Sequence, residues 1–264
     1  INTVLEIQNV IGATIDELLS KNDNNDTTIY FLREAYEQAE YYVEYLDSKE
    51  ILAFLTPYVL IEGEGGCGKS HLIADTVQNR SNNGAKSVLF LGQHFKGHTN
   101  PMQEMMQLLG TKDGFDAFLE KLNRIGQQEN KRVILFIDAL NEGNGKEIWQ
   151  DYLSGILEKL KSYKWLGLVA SIRSEYKRYL FKENKTLKDE LVLVRHKGFQ
   201  SISYEAIKKY FRFYNIEYME IPFENQEFEN PLFLRLFCEA YQGECVNLTG
   251  IDLKTVYEKY LEKI

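Results

Sequence analysis

Apolar residues recur at helical spacing over residues 4–19, and the Asn/Asp-rich polar run 21–26 then interrupts them. A second helix is predicted over 29–55, with Thr27 or Thr28 as its cap and Pro57 as its stop, since proline disfavours helical geometry in the residue before it. After Pro57 the period changes. Tyr58-Val59-Leu60-Ile61 is a continuous apolar run, as expected of a strand buried on both faces, and similar runs follow at 87–91, 133–137, 166–170 and 191–194. Helical stretches lie between them at 69–79, 102–109, 115–125, 148–162 and 175–181. Strands alternating with helices predict a five-stranded parallel sheet, and right-handed crossovers make it a three-layer α/β sandwich. Beyond Gly198 the strand signals stop, and 204–214, 231–241 and 251–264 read as helices. The expected organisation is a helical lead-in (1–56), an α/β core (57–200) and a helical lid (201–264).

Composition narrows the class. A chain of 264 residues can bury one large core or two modest ones, and 44% hydrophobic with 27% charged residues is the balance of an ordinary globular protein. The formal charge of -8 argues against a nucleic-acid surface, which needs clustered Lys and Arg. Cys67, Cys238 and Cys245 fit neither a disulfide framework nor a paired zinc motif, so a reduced, cytoplasmic setting is expected. No apolar run approaches the roughly 20 residues of a membrane span. The chain opens on Ile1 and closes on a helical pattern without a stop signal, so an internal piece of a longer protein is expected.

Chemistry concentrates at strand ends. Gly63-Glu64-Gly65-Gly66-Cys67-Gly68-Lys69-Ser70 fits G-x-x-x-x-G-K-[ST] directly between an apolar strand and a helix. Glycines there let backbone N–H groups face a phosphate, and the helix adds the positive end of its dipole. Lys69 is expected to bridge the β- and γ-phosphates, and Ser70 to ligate Mg²⁺; His71 follows on the same helix. The run 133–137 ends in Asp138, placed to hold Mg²⁺ through water, and Glu142 four residues later can activate an attacking water. The run 166–170 leads to Ser171 and Arg173, and Arg173 is a candidate γ-phosphate sensor. His94 and His98 lie four apart, but Gly92 and Gly97 argue for a loop and no third ligand is evident. His196, after the fifth strand, reads as structural.

These motifs, with Ile137-Asp138-Ala139-Leu140-Asn141-Glu142-Gly143 and Asn230-Pro231-Leu232-Phe233-Leu234, resemble the STAND class of signal-transducing P-loop ATPases. Leu91-Gly92-Gln93-His94-Phe95 and His196-x-Gly198-Phe199 narrow the likeness to the bacterial antiviral (AVAST) members, over roughly residues 57–241. The resemblance implies ATP and Mg²⁺ as ligands, the Arg173 strand between the P-loop strand and the Asp138 strand, and Pro231 in a lid near adenine. It also implies a nucleotide-gated switch with slow hydrolysis, which in the full-length protein couples a viral protein trigger to oligomerisation and to a fused effector. Two features depart from the class: Asn141 stands where an Asp is common, and a winged-helix segment is not visible before Ile264. A small-molecule kinase, with Arg178, Arg195 and Arg212 as lid cations, stays open as an alternative. So do a DNA-associated motor and a scaffold in which nucleotide is only structural.

Overall fold

The structure, a computed structural model, describes residues 2–20, 26–97, 100–182, 185–218, 226–247 and 253–263. The chain divides into two compact units, Ile1–Pro57 and Tyr58–Ile264. Among its described residues the first holds three helices, α1 (Asn2–Ser20), α2 (Asp26–Leu46) and α3 (Lys49–Leu55). Gly12 lies beneath the Tyr36 ring, where α1 and α2 pack on each other. The expected single helix 29–55 is two helices, because Ser48 caps α3 and its hydroxyl accepts from the Ile51 N–H.

The second unit carries β1 (Tyr58–Gly63), α4 (Lys69–Asn82), β2 (Ser87–Leu91), α5 (Pro101–Leu108), α6 (Phe115–Glu129), β3 (Val133–Asp138), α7 (Gly145–Lys161) and β4 (Leu166–Arg173). Then come α8 (Lys177–Leu180), α9 (Lys185–Glu190) and β5 (Val192–Arg195). The five strands form one parallel sheet in the order β2-β3-β4-β1-β5, so β4 lies between the P-loop strand and the Asp138 strand. Alternate residues serve opposite faces. Leu60, Leu135, Leu168 and Ala170 share one core with Met105, Leu119, Leu153 and Leu157 from α5, α6 and α7. Ile61 and Phe136 face the other way, onto Ile73 of α4. That double coverage is why the strands read as unbroken apolar runs. The predicted helix 175–181 is a 3₁₀ turn (Ser174–Tyr176) followed by α8.

The remaining elements are α10 (Ser203–Phe213), β6 (Glu217–Tyr218), α11 (Pro231–Ala240), β7 (Cys245–Val246) and α12 (Leu253–Lys263). They close around their own core of Phe211, Phe228, Phe233, Phe237 and Val256. A two-residue parallel pair, β6 with β7, lies where no strand was expected. The predicted helix 251–264 is observed as α12; residues 251, 252 and 264 are outside the described set. The fold is therefore the α/β P-loop NTPase sandwich with a five-stranded parallel sheet, a helical lead-in and a helical lid.

Candidate functional site

Gly63 closes β1 and Lys69 opens α4. Between them Gly66 and Gly68 take φ of 75° and 101°, a region open to glycine at little steric cost. Lys69 is buried, and its Nζ donates to the carbonyls of Gly63 (2.9 Å) and Glu64 (2.8 Å). Cys67, also buried, has its Sγ 3.6 Å from the same nitrogen. The far end of α4 is pinned by Arg80, which donates to Ser87 Oγ (2.9 Å) and to the Arg132 carbonyl (2.5 Å).

A second group forms at the ends of β3 and β4. Ser171, fully buried, donates to Asp138 Oδ1 at 2.6 Å and accepts the Ala139 N–H at 2.7 Å. Ala139 has a positive φ of 58°, which turns the chain sharply so that Glu142 N–H donates to the Ala139 carbonyl (2.9 Å). Asn141 Oδ1 accepts the Arg173 N–H at 3.0 Å and so fixes the start of the Arg173 segment. Gly92 and Phe95 hold this loop from the β2 side. A Cβ on Gly92 would overlap the Ala139 carbonyl, and Asn144 N–H donates to the Phe95 carbonyl at 2.9 Å. Phe95 is buried edge-on against Trp149, 4.9 Å between centroids. Just before the P-loop, Glu62 is ion-paired with Lys177 at 2.6 Å, tying β1 to the segment after Arg173.

The lid meets the P-loop directly. Asn230 Nδ2 donates to the Gly65 carbonyl (3.2 Å), and Leu232 N–H donates to the Gly66 carbonyl (3.3 Å). A Cβ on Gly66 would come within 2.7 Å of Leu232 Cβ. The exit from β5 completes the seam: His196 N–H donates to the Glu62 carbonyl (2.7 Å), and Phe199 N–H to the Glu229 carbonyl (2.7 Å). His196 also makes a side-chain hydrogen bond to the Cys67 backbone. Burial first, and the nearby Lys69 ammonium second, hold its imidazole below the usual histidine range against that hydrogen bond.

Together these segments line a cavity of about 520 Å³. Of the residues expected at the site, Gly65, Gly66, Cys67, Gly68, Lys69, Ser70, His71, Glu142, Arg173 and Pro231 line it. Gly63, Glu64 and Asp138 do not. Gly63 and Glu64 act through the carbonyls that hold Lys69, and Asp138 is linked to the cavity by Ser171, which does line it. Arg173 lies along the P-loop rim, its Nη1 3.7 Å from where a Gly65 Cβ would be. His196, Phe199, Tyr210, Leu232 and Arg235 also line it and were not expected there from sequence. The Phe199 and Tyr210 rings pack edge-on at 6.0 Å. His94 ends a 3₁₀ turn away from this cavity, and His98 lies outside the described residues. Among the described residues no group of three or more His, Cys, Asp or Glu is placed to hold a metal ion.

Strand order, P-loop and strand-end acid define a P-loop NTPase fold. No family model matches the chain, and no curated protein matches it. Among solved structures it is similar to a Walker-type ATPase of Pyrococcus abyssi, at 17% identity over 81% of this chain and 69% of that one, with a TM-score of 0.50. It also matches AMPPCP-bound DnaA from Aquifex aeolicus, at 17% identity over 76% of this chain and 59% of that one (TM-score 0.45). Cdc6p from Pyrobaculum aerophilum matches at 15% identity over 70% and 48% of the two chains (TM-score 0.42).

Proposed function

We propose that this unit binds ATP with Mg²⁺ in the cavity between the P-loop and the lid, hydrolyses it slowly, and signals the state of the γ-phosphate through the lid. The observation that carries the reading is the single cavity shared by Lys69, Ser70, Glu142 and Arg173 on the core side and Pro231 and Leu232 on the lid side. Its lining joins the cationic, N–H-rich P-loop to the aromatic and apolar side chains of Phe199, Tyr210 and Pro231. A nucleoside triphosphate presents the matching pair of chemistries, an anionic phosphate chain and an aromatic base.

In this reading Lys69 exchanges its carbonyl partners for phosphate oxygens. Arg173 reaches the γ-phosphate from the neighbouring strand, and Glu142 takes the proton of the attacking water. The donor set suits Mg²⁺, which keeps several waters and needs only a hydroxyl from Ser70 and an outer carboxylate from Asp138 beside the phosphates. When bound, the ion would supply charge neutralisation to the phosphates. Ser171 keeps the Asp138 carboxylate oriented for that role.

The finer assignment, a STAND-type switch of antiviral AVAST character that oligomerises with ATP, rests on the motif set in the sequence. It brings with it a cytoplasmic location, a viral trigger and a fused effector. Calorimetric titration of the chain tests the core of the proposal. Lys69→Ala should weaken ATP binding at least about 100-fold, and Glu142→Gln should retain ATP while losing turnover. Parent-like ATP affinity in Lys69→Ala would refute the site, and parent-like turnover in Glu142→Gln would refute the role of Glu142. The switch is tested on the full gene product by comparing its assembled mass with ATP and with ADP; equal masses would refute it.

A further inference from the structure

A P-loop can face its N–H groups to phosphate only if its carbonyls face elsewhere and find donors there. Lys69 Nζ serves Gly63 and Glu64 until phosphate draws it away, and Leu72 N–H serves Gly68 at 3.0 Å. The carbonyls at the crown of the loop, Gly65 and Gly66, have donors from the lid: Asn230 Nδ2 and Leu232 N–H. In a trans peptide the C=O and the following N–H point in opposite directions. Holding the Gly65 carbonyl toward the lid therefore aims the Gly66 N–H away from it.

The Asn230 amide can be oriented in only one way. Its Oδ1 accepts from Leu232 N–H (2.9 Å) and Phe233 N–H (3.3 Å), capping α11, which leaves Nδ2 for Gly65. One side chain thus starts the lid helix and sets a P-loop peptide. The neighbouring backbone is shaped to bring it there. Gly198, at φ 65°, lets the β5 exit pass within 2.5 Å (Cβ position) of the Glu229 carbonyl, next to Asn230.

We propose that Asn230 is a positioning residue that latches the lid to the P-loop, so that phosphate binding and lid docking act on the same peptide from opposite sides. The two events are then coupled, and each strengthens the other by the same factor. This rests on the nucleotide-binding reading above and adds the route by which the lid learns of the phosphate.

Asn230→Asp isolates the latch. Asp caps a helix as well as Asn does, so α11 keeps its start, but the donor to Gly65 becomes an acceptor facing an acceptor. Asn230→Ser keeps a capping oxygen on a side chain too short to reach Gly65, and removes the latch without adding repulsion. ATP affinity should fall about tenfold in Asn230→Asp and about threefold in Asn230→Ser. Hydrogen exchange should show lower protection of the Leu232 amide without nucleotide, and a smaller gain in that protection on adding ATP. The emission of Trp149 and Trp165 should be unchanged. The latch is overturned if either variant matches the parent in ATP affinity and in ATP-dependent lid protection while Lys69→Ala has lost binding. If Lys69→Ala binds like the parent, the nucleotide reading fails instead. Exchange at Leu232 in the nucleotide-free variants then decides the latch: unchanged protection overturns it, and lowered protection sustains it.

Discussion

Replacing Ser171 with Ala removes one oxygen and should disturb two strand ends at once. The hydroxyl is fully buried, donates to the Asp138 carboxylate at 2.6 Å and accepts the Ala139 N–H at 2.7 Å. A hydrogen bond to a charged group contributes about 1.5–3 kcal/mol and a neutral one about 0.5–1.5. These contributions are already net of desolvating the hydroxyl, so the loss is at least about 2 kcal/mol, or at least about 4–8 °C in Tm for a unit of this size. Trp149 and Trp165 are the only tryptophans, and both lie in the second unit, so their emission follows that unit alone through a thermal ramp. Catalysis should suffer more than binding. The P-loop is untouched by the change, so ATP affinity should stay within about threefold, whereas an unguided Asp138 and a loosened 139–142 turn should lower kcat at least about tenfold. A midpoint within about 1 °C of the parent together with an unchanged kcat would show that Ser171 fills space and orients nothing.

Gly92→Ala drives a Cβ into the Ala139 carbonyl, backbone against side chain with no rotamer to relieve it. A loss of about 1–3 kcal/mol in denaturant unfolding is expected, with kcat falling further than ATP affinity; parent-like stability would mean that the β2 exit and the Asp138 turn are less closely packed than described. His196→Gln tests the imidazole at the seam. Its folded pKa lies below the free value of 6.5, so below that pH the unfolded chain binds a proton that the native state resists, and stability falls as pH drops through this window. The Gln variant should lose that part of the slope, measured as the difference in unfolding free energy between pH 7 and pH 5.5. An identical slope in both proteins would place the titration on another group.

Much of the core was legible because its logic is local. Strands covered on both faces must be apolar at every position, and 58–61 and 133–137 announce this without any knowledge of what covers them. The P-loop is equally local, eight residues between a strand and a helix. The break at Ser48 also had its signal, a serine three residues before Ile51, but the apolar period on both sides hid it. The β6–β7 pair had none, because its two strands are nearly thirty residues apart and two residues long. His196 stands in the His196-x-Gly198-Phe199 stretch but reads there as structural; only the fold brings its ring against Cys67 and Lys69.

From its own residues Asn230-Pro231 was legible only as a helix start, an Asn cap followed by a proline at the first helical position, and the family likeness alone put Pro231 near adenine. The same cap explains why its second role was hidden. Capping uses Oδ1 and says nothing of Nδ2, and the partner of Nδ2 is a carbonyl 165 residues away. A glycine at position 66 hints at the contact, since its positive φ satisfies the P-loop and its missing Cβ leaves room for Leu232, but sequence cannot separate the two demands. The phosphate-gripping loop is therefore finished by a segment that arrives late in the chain. A site built this way is complete only when the lid is docked, and that dependence is what the proposed nucleotide-reading switch requires.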